Sequence, residues 1–284
     1  MLCDKLHMNK ILLQNYDLNM TLLGGQSFNF DFDGEYYWGF TQDKVMKLKK
    51  EGDKLHWQTY PEENNLNFLK DYLRLDVDYH EILKKIQKDN HVKAAIRKYP
   101  NLRLLNQDFE QTLLSFLISP NNNIKSIRKI IRALSERFGK QVDINGKKIY
   151  LFPKTEVIAG TKIEDLLGCK LGFRAKFIKA AAGYLIKKDL LTKIKELSEQ
   201  DARSSLIEIN GVGNKIADCV LVFSLGFDNV TPLDVWGKRV LTRFYGISPK
   251  TNYSEMQNWI NNYFEGYAGW AGQFLYEYIR NTHI

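Results

Sequence analysis

An α+β fold is predicted for this chain, with an antiparallel β-sheet in its first part and helices over the rest. Three observations carry that prediction. Phe28, Phe30 and Phe32 alternate with Asn29 and Asp31, the period of a strand. Tight-turn dipeptides separate the strand-like runs. From Phe109 onward, apolar residues recur at helical spacing instead. A chain of 284 residues, 44% hydrophobic and 26% charged, can bury a substantial globular core.

The elements follow in order. Asp33-Gly34 marks a tight turn between the phenylalanine run and Tyr36-Tyr37-Trp38-Gly39-Phe40. Val45 to Lys49, Gly52-Asp53 and Leu55 to Thr59 repeat strand, turn and strand, so residues 1 to about 75 read as β-rich. Phe109, Leu113, Phe116 and Leu117 form one helical stripe. Ile124, Ile127, Ile131, Leu134 and Phe138 form another, ended by Gly139. Between them lies Pro120-Asn121-Asn122-Asn123. Residues 141–153 read as a short insertion with a small hairpin at Asn145-Gly146, and helices resume near Ile163. No low-complexity linker or internal repeat interrupts the chain. The division predicted is a β-rich domain over 1–100 and an α-helical region over 101–284.

The most specific stretch is Asn210-Gly211-Val212-Gly213-Asn214-Lys215-Ile216-Ala217-Asp218-Cys219-Val220. Ser198-Glu199-Gln200-Asp201 resembles a capping box, which predicts a helix to about Glu208. Lys215 to Leu225 then reads as a second helix with Ile216, Val220 and Phe223 inward, giving a helix–hairpin–helix over about 198–225. Gly211 and Gly213 permit positive φ and close backbone approach. Amides at the start of the second helix suit a phosphate. Asp234 follows nineteen positions after Lys215, in Thr231-Pro232-Leu233-Asp234-Val235, ahead of a helix that it would cap. A lone GxG turn reads as an ordinary helix–turn–helix. A lysine amine and a rigidly oriented carboxylate beside it point to chemistry on a held nucleic acid. Cys219 lies one helical turn after Lys215, on the same face.

These motifs resemble the helix-hairpin-helix DNA glycosylase superfamily. More narrowly they resemble 8-oxoguanine DNA glycosylase/AP lyase of the eukaryotic-like type also found in bacteria. The resemblance rests on Gly24-Gly25-Gln26-Ser27-Phe28, Asp108 to Asn123, Leu171-Gly172-Phe173-Arg174-Ala175, the hairpin through Cys219, Pro232-Leu233-Asp234-Val235, and Tyr267-Ala268-Gly269-Trp270-Ala271. It implies a TBP-like antiparallel sheet domain followed by a two-lobed α-helical glycosylase region, with DNA between the lobes. It also implies that Lys215 attacks C1′ of the damaged nucleoside and forms a Schiff base. Asp234 would offset charge on the sugar, and the imine would permit β-elimination.

The resemblance further implies that the Gly25 carbonyl accepts the N7–H of 8-oxoguanine, while Cys219 and Tyr276 pack on its two faces. Phe173 would enter the base stack, and Arg174 and Asn121 would read the orphaned cytosine. Gly211, Gly213 and Lys238 would hold the DNA backbone. Three positions depart from the family pattern. Gly272 stands where a glutamine usually contacts the base, Ser126 where an arginine contacts the cytosine, and Trp236 where a histidine touches phosphate in animal relatives. Lys125, Arg128, Lys129 and Arg132 read as a solvated helix face that could assist phosphate binding.

Composition narrows the remaining classes. A formal net charge of +8 suits a polyanionic partner. Cys3, Cys169 and Cys219 lack CxxC spacing, and His7, His56, His80, His91 and His283 are scattered, so no metal or other cofactor is expected. Met1 to Lys10 is polar and no apolar run would span a bilayer, which predicts a cytoplasmic protein. The resemblance places it in the bacterial cytosol or nucleoid, and a monomer is expected. The expected partner is double-stranded DNA containing 8-oxoguanine, with no membrane. The alternatives are a glycosylase for another damaged base and a non-catalytic helix-hairpin-helix DNA-binding protein.

Overall fold

The computed structural model of the chain describes residues 8–41, 43–63 and 65–282. Cys3, His7, His283 and most of the polar start lie outside the described residues. Five strands form one antiparallel sheet: β1 Asn9–Leu12, β2 Phe30–Phe32, β3 Tyr37–Thr41, β4 Lys44–Glu51 and β5 Lys54–Tyr60, in the order β1-β5-β4-β3-β2. The β4–β5 turn is Gly52-Asp53, with Glu51 paired to Lys54 and Gly52 at φ 57°. Met46, Leu48, Leu55 and Trp57 from these strands are buried together.

The first 75 residues are less purely β than the sequence pattern predicts. Helix α1 (Leu18–Leu23) lies between β1 and β2, and α2 (Leu66–Leu73) follows β5. Asp17 and Asn65 cap them, accepting from Met20 N and Phe68 N. Neither helix is long enough to develop a clear apolar period. Both pack on the sheet, contributing Leu18, Leu22, Leu69, Tyr72 and Leu73 to its core.

The helical part begins with α3 (Tyr79–Ile86) and α4 (Asn90–Lys98), then α5 (Phe109–Leu117) and α6 (Ile124–Phe138). The last two carry the two stripes named above. Gly139 follows α6 in extended backbone, where a Cβ would collide with carbonyl oxygens of Leu151 and Ser135. Strands β6 (Gln141–Ile144) and β7 (Lys147–Tyr150) form the small hairpin, with Asn145 and Gly146 both at positive φ as a two-residue turn requires. Helices resume at Thr155 rather than Ile163: α7 (Thr155–Gly160), α8 (Ile163–Leu167), α9 (Arg174–Lys188) and α10 (Leu190–Ile194). The chain ends with α11 (Glu199–Ile207), α12 (Asn214–Ser224), α13 (Val235–Tyr245), α14 (Tyr253–Tyr263) and α15 (Ala268–Asn281). Among the described residues no helix is long and apolar enough to cross a membrane.

The sheet and the helices are locked together by buried polar contacts. Gln26 Nε2 donates to the Arg103 carbonyl at 2.7 Å, and Gln26 Oε1 accepts from Leu105 N at 2.8 Å. Gln107 Nε2 donates to the Gln26 carbonyl at 2.7 Å. The loop containing Gly24 and Gly25 is thereby pinned to the segment leading into α5. Arg74 pairs with Asp228 at 2.7 Å, tying the end of α2 to the loop after α12. Helix α12 packs against α5, and α15 against α13 and α4. These packings bring the ends of α5, α12, α13 and α15 around one cavity.

Candidate active site

The hairpin forms as its sequence predicts. Ser198 Oγ accepts from Asp201 N at 3.2 Å, and α11 ends at Ile207. Gly211 has φ 94°, and a Cβ there would lie 2.7 Å from the Phe177 ring, so glycine is required twice over. Gly213 differs from expectation. Its φ is −102°, which any residue adopts, and a Cβ would meet nothing. It starts α12 without a side-chain cap, so its value is an open approach to the first amides of that helix.

Lys215 and Cys219 sit one turn apart on α12 and border a cavity of about 1120 Å³. Lys215 Nζ donates to Ser119 Oγ at 3.1 Å and lies 5.0 Å from the centroid of the Phe116 ring. Ser119 in turn donates to the Phe116 carbonyl at 2.7 Å, so the hydroxyl that holds the lysine is itself held. Asp234 borders the same cavity. Its Oδ1 accepts from both Trp236 N and Gly237 N at 2.9 Å, capping α13. That leaves Oδ2 without a hydrogen bond among the described residues. Burial pushes the Cys219 thiol up to about 11, with Asp234 adding to the rise and Lys215 opposing it. Cys219 therefore remains a neutral, polarizable wall rather than a competing nucleophile.

Gly25 and Tyr276 border the cavity as well. Gly25 has φ 108°, and a Cβ would lie 2.6 Å from Ile124 Cδ1. Burial raises the Tyr276 hydroxyl, against the pull of Arg280, so the ring is a neutral surface. At Gly272 a Cβ would collide with Thr231 Oγ1. The position cannot carry any larger side chain while Thr231 stands there.

Asn121 lies exposed on the rim at φ 55°. Phe173 is 52% exposed, unusual for phenylalanine, and its ring packs edge-on against Phe177. Arg174 is buried rather than a surface charge. Its Nε donates to the Pro120 carbonyl at 3.0 Å, Nη2 donates to the same oxygen, and Nη1 donates to the Leu171 carbonyl at 3.3 Å. Arg174 thus joins the Phe173 turn to the Asn121 loop. Lys238 and Lys125 are exposed at the cavity edge. Phe173, Arg174 and Gly211 stand outside the cavity lining. The basic row on α6 is not simply solvated: Arg128 Nη2 donates to the Leu23 carbonyl at 3.2 Å, and Arg132 pairs with Asp31 at 2.7 Å.

Two family models match the chain. The N-terminal domain of 8-oxoguanine DNA glycosylase covers residues 10–113, and the HhH-GPD superfamily of base excision DNA repair proteins covers residues 114–265. The second match spans more than half of the sequence. This chain belongs to the HhH-GPD superfamily, on its 8-oxoguanine glycosylase branch.

Relatives of this HhH-GPD protein agree. An N-glycosylase/DNA lyase of Saccharomyces cerevisiae is 29% identical over 82% of the chain and 69% of its own length. The structure of MBOgg1 with a low-affinity DNA ligand superposes with a TM-score of 0.90 at 34% identity, covering 97% of this chain and 96% of that one. The Clostridium acetobutylicum 8-oxoguanine glycosylase/lyase, bound to double-stranded DNA with cytosine opposite 8-oxoG, gives 0.89 at 28% identity. That match covers 98% of this chain and all of the other.

Of the residues singled out from the sequence of this glycosylase-branch protein, Gly25, Asn121, Gly213, Lys215, Cys219, Asp234, Lys238 and Tyr276 converge on the one cavity. Sequence reasoning missed Ser119 and read Phe116 only as core. Both precede the Pro120 turn, where α5 stops. The sole available signal was a hydroxyl beside that turn. It also passed over Arg280 and Glu277, which lie on α15 beside the cavity.

Proposed function

We propose that this protein flips 8-oxoguanine out of duplex DNA into the cavity and excises it, then cleaves the strand as a bifunctional glycosylase/lyase. Extrusion is needed because C1′ is shielded within the stack. Lys215, as the neutral amine, attacks C1′ as the C1′–N9 bond breaks and the base leaves with the bonding pair and takes up a proton. Sugar ring opening moves the C1′–O4′ pair onto oxygen and gives the protonated imine. Loss of a C2′ proton then expels the 3′ phosphate. Water hydrolyses the imine and frees the lysine.

The observation that carries this reading is the Lys215–Ser119 contact inside a cavity that Asp234 also borders. Asp234 offsets positive charge that develops on the sugar, using the oxygen not engaged in capping. Cys219 and Tyr276 are neutral surfaces for the two faces of the base. The Gly25 carbonyl accepts the N7–H that distinguishes 8-oxoguanine from guanine. Phe173 fills the gap in the stack, Asn121 and Arg174 face the orphaned cytosine, and the hairpin amides with Lys238 hold phosphate.

Borohydride reduction of the imine tests the reading. A covalent adduct is expected with a duplex containing 8-oxoguanine opposite cytosine, and none with Lys215→Gln, which should still bind the duplex. A normal adduct with Lys215→Gln, or trapping only on alkylated bases, would overturn it.

A further inference from the structure

One charged side chain of the cavity has no part in the reaction above. Gly272, Gln273, Tyr276 and Arg280 lie along the cavity face of α15. The Arg280 guanidinium is 5.2 Å from the Tyr276 ring centroid. Its Nη1 is 3.7 Å from where a Cβ on Gly25 would stand. Arg280 thus adjoins the two residues that would meet one edge and one face of the base.

The arginine is anchored from behind. Its Nη2 donates to Glu277 Oε2 at 2.6 Å. Glu277 is fully buried and also accepts from Asn281 Nδ2 at 3.2 Å. Arg280 Nε is buried, and neither it nor Nη1 makes a hydrogen bond among the described residues. A buried N–H without an acceptor is costly. A guanidinium held by the Glu277 carboxyl group, with donors left over at the cavity wall, is built to meet an acceptor brought in by a ligand.

The chemistry of that acceptor follows from the base, so this step rests on the proposed function. The edge of 8-oxoguanine around N7 reads O6, N7–H, O8. A carbonyl at Gly25 takes the central proton, so a donor beside Gly25 meets one of the flanking oxygens. O8 lies on the glycosidic side, toward the carbon that Lys215 attacks. O6 lies on the far side. Lys215 is held by Ser119 and Phe116, whereas Arg280 packs on Gly25 and Tyr276. We infer that Arg280 donates to the O6 carbonyl of the extruded base, with Glu277 as its positioning residue, so that the site selects 6-oxo over 6-amino purines. A 6-amino group would turn a donor toward a cation, and a site built for a polar contact rejects an analogue that leaves it unmet.

Single-turnover excision from duplexes that differ only in the lesion would test this, with 8-oxoguanine, 8-oxohypoxanthine and 8-oxoadenine each opposite cytosine. The wild-type protein should treat the first two alike and 8-oxoadenine roughly 100-fold more slowly. Arg280→Met should slow the two 6-oxo substrates by roughly 10- to 100-fold and leave 8-oxoadenine unchanged or faster. The double variant Glu277→Gln/Arg280→Met, which strands no buried charge, should show the same pattern and guards against a folding defect in the single one. Equal loss on all three lesions in the folded double variant would overturn the assignment. So would 8-oxoadenine excised by the wild-type protein as fast as 8-oxoguanine, whatever the variants do. Wild-type protein inert on 8-oxoguanine would instead overturn the proposed function.

Discussion

Lys215 Nζ and Ser119 Oγ lie 3.1 Å apart, although 96 residues separate them in the chain. The contact orients a long, flexible side chain from the start of α12 toward the cavity. It exists because α5 packs against α12 and stops just before Ser119. Ordering a lysine costs side-chain entropy, and one hydrogen bond offsets part of that cost.

Removing that contact should therefore slow attack without abolishing it. Ser119→Ala is expected to lower the rate of borohydride-trappable imine formation by roughly 2- to 10-fold, the effect of one neutral hydrogen bond. Duplex affinity should hold. Ser119→Thr, which keeps the hydroxyl, should recover part of the rate. An unchanged trapping rate in Ser119→Ala would mean that the lysine needs no such anchor.

Asp234→Asn separates the two tasks of one side chain. The amide oxygen of asparagine can still accept from Trp236 N and Gly237 N, so α13 should keep its cap and the unfolding midpoint should barely move. The charge that opposes the sugar cation is lost. Excision should fall by roughly 100-fold or more, while affinity for intact duplex changes little. If the folded variant excised at the wild-type rate, Asp234 would be a cap and nothing else.

The elements with a long periodic face were legible in the sequence. The predicted stripe from Ile124 to Phe138 matches α6, because fifteen residues display the period and Gly139 ends it. Helices α1 and α2 were not legible, since six and eight residues show too few turns to betray a face. The hairpin, Lys215 and Asp234 were visible because a local turn and a cap leave local signatures. Ser119 was not, since it acts through packing between distant segments. The Glu277–Arg280 pair is local to α15, three residues apart, but only the packing of that helix beside Gly25 gives it a place at the cavity. The same limit hid the burial of Arg174. Its sequence neighbours place it at a turn, but only the Pro120 carbonyl, contributed by another loop, accounts for where its charge goes.

Glu277 should make stability depend on pH. Burial lifts its carboxyl to about 7, and Arg280 pulls it back without cancelling the rise. The folded value thus exceeds the unfolded one, near 4.5. The favourable contribution of the protonated form is fully present below that unfolded value and is lost as pH rises through 7. The loss runs in this direction because the folded state holds the proton more tightly than the unfolded chain does. Urea unfolding of wild type and Glu277→Gln between pH 5 and 8 isolates this group from other titrating residues. Wild-type stability should decline with pH relative to the glutamine variant, and parallel profiles would rule the effect out.

The base opposite the lesion should be read loosely. Ser126 is partly buried, and its short, uncharged side chain has neither the reach nor the charge of the arginine it replaces. Arg174 already spends three donor atoms on protein carbonyls, leaving less of its fork for a partner. A well-aligned arginine contact is worth roughly 1–3 kcal/mol of discrimination. Its absence should relax the preference for cytosine by about tenfold or more, measured as single-turnover excision with C, A, G or T opposite 8-oxoguanine. Ser126→Arg should sharpen the preference. Lys125, exposed at the cavity edge one residue earlier, is the side chain placed to substitute. Steep wild-type selectivity for cytosine that survives Lys125→Ala would refute the idea, whereas its loss in that variant would make Lys125 the reader.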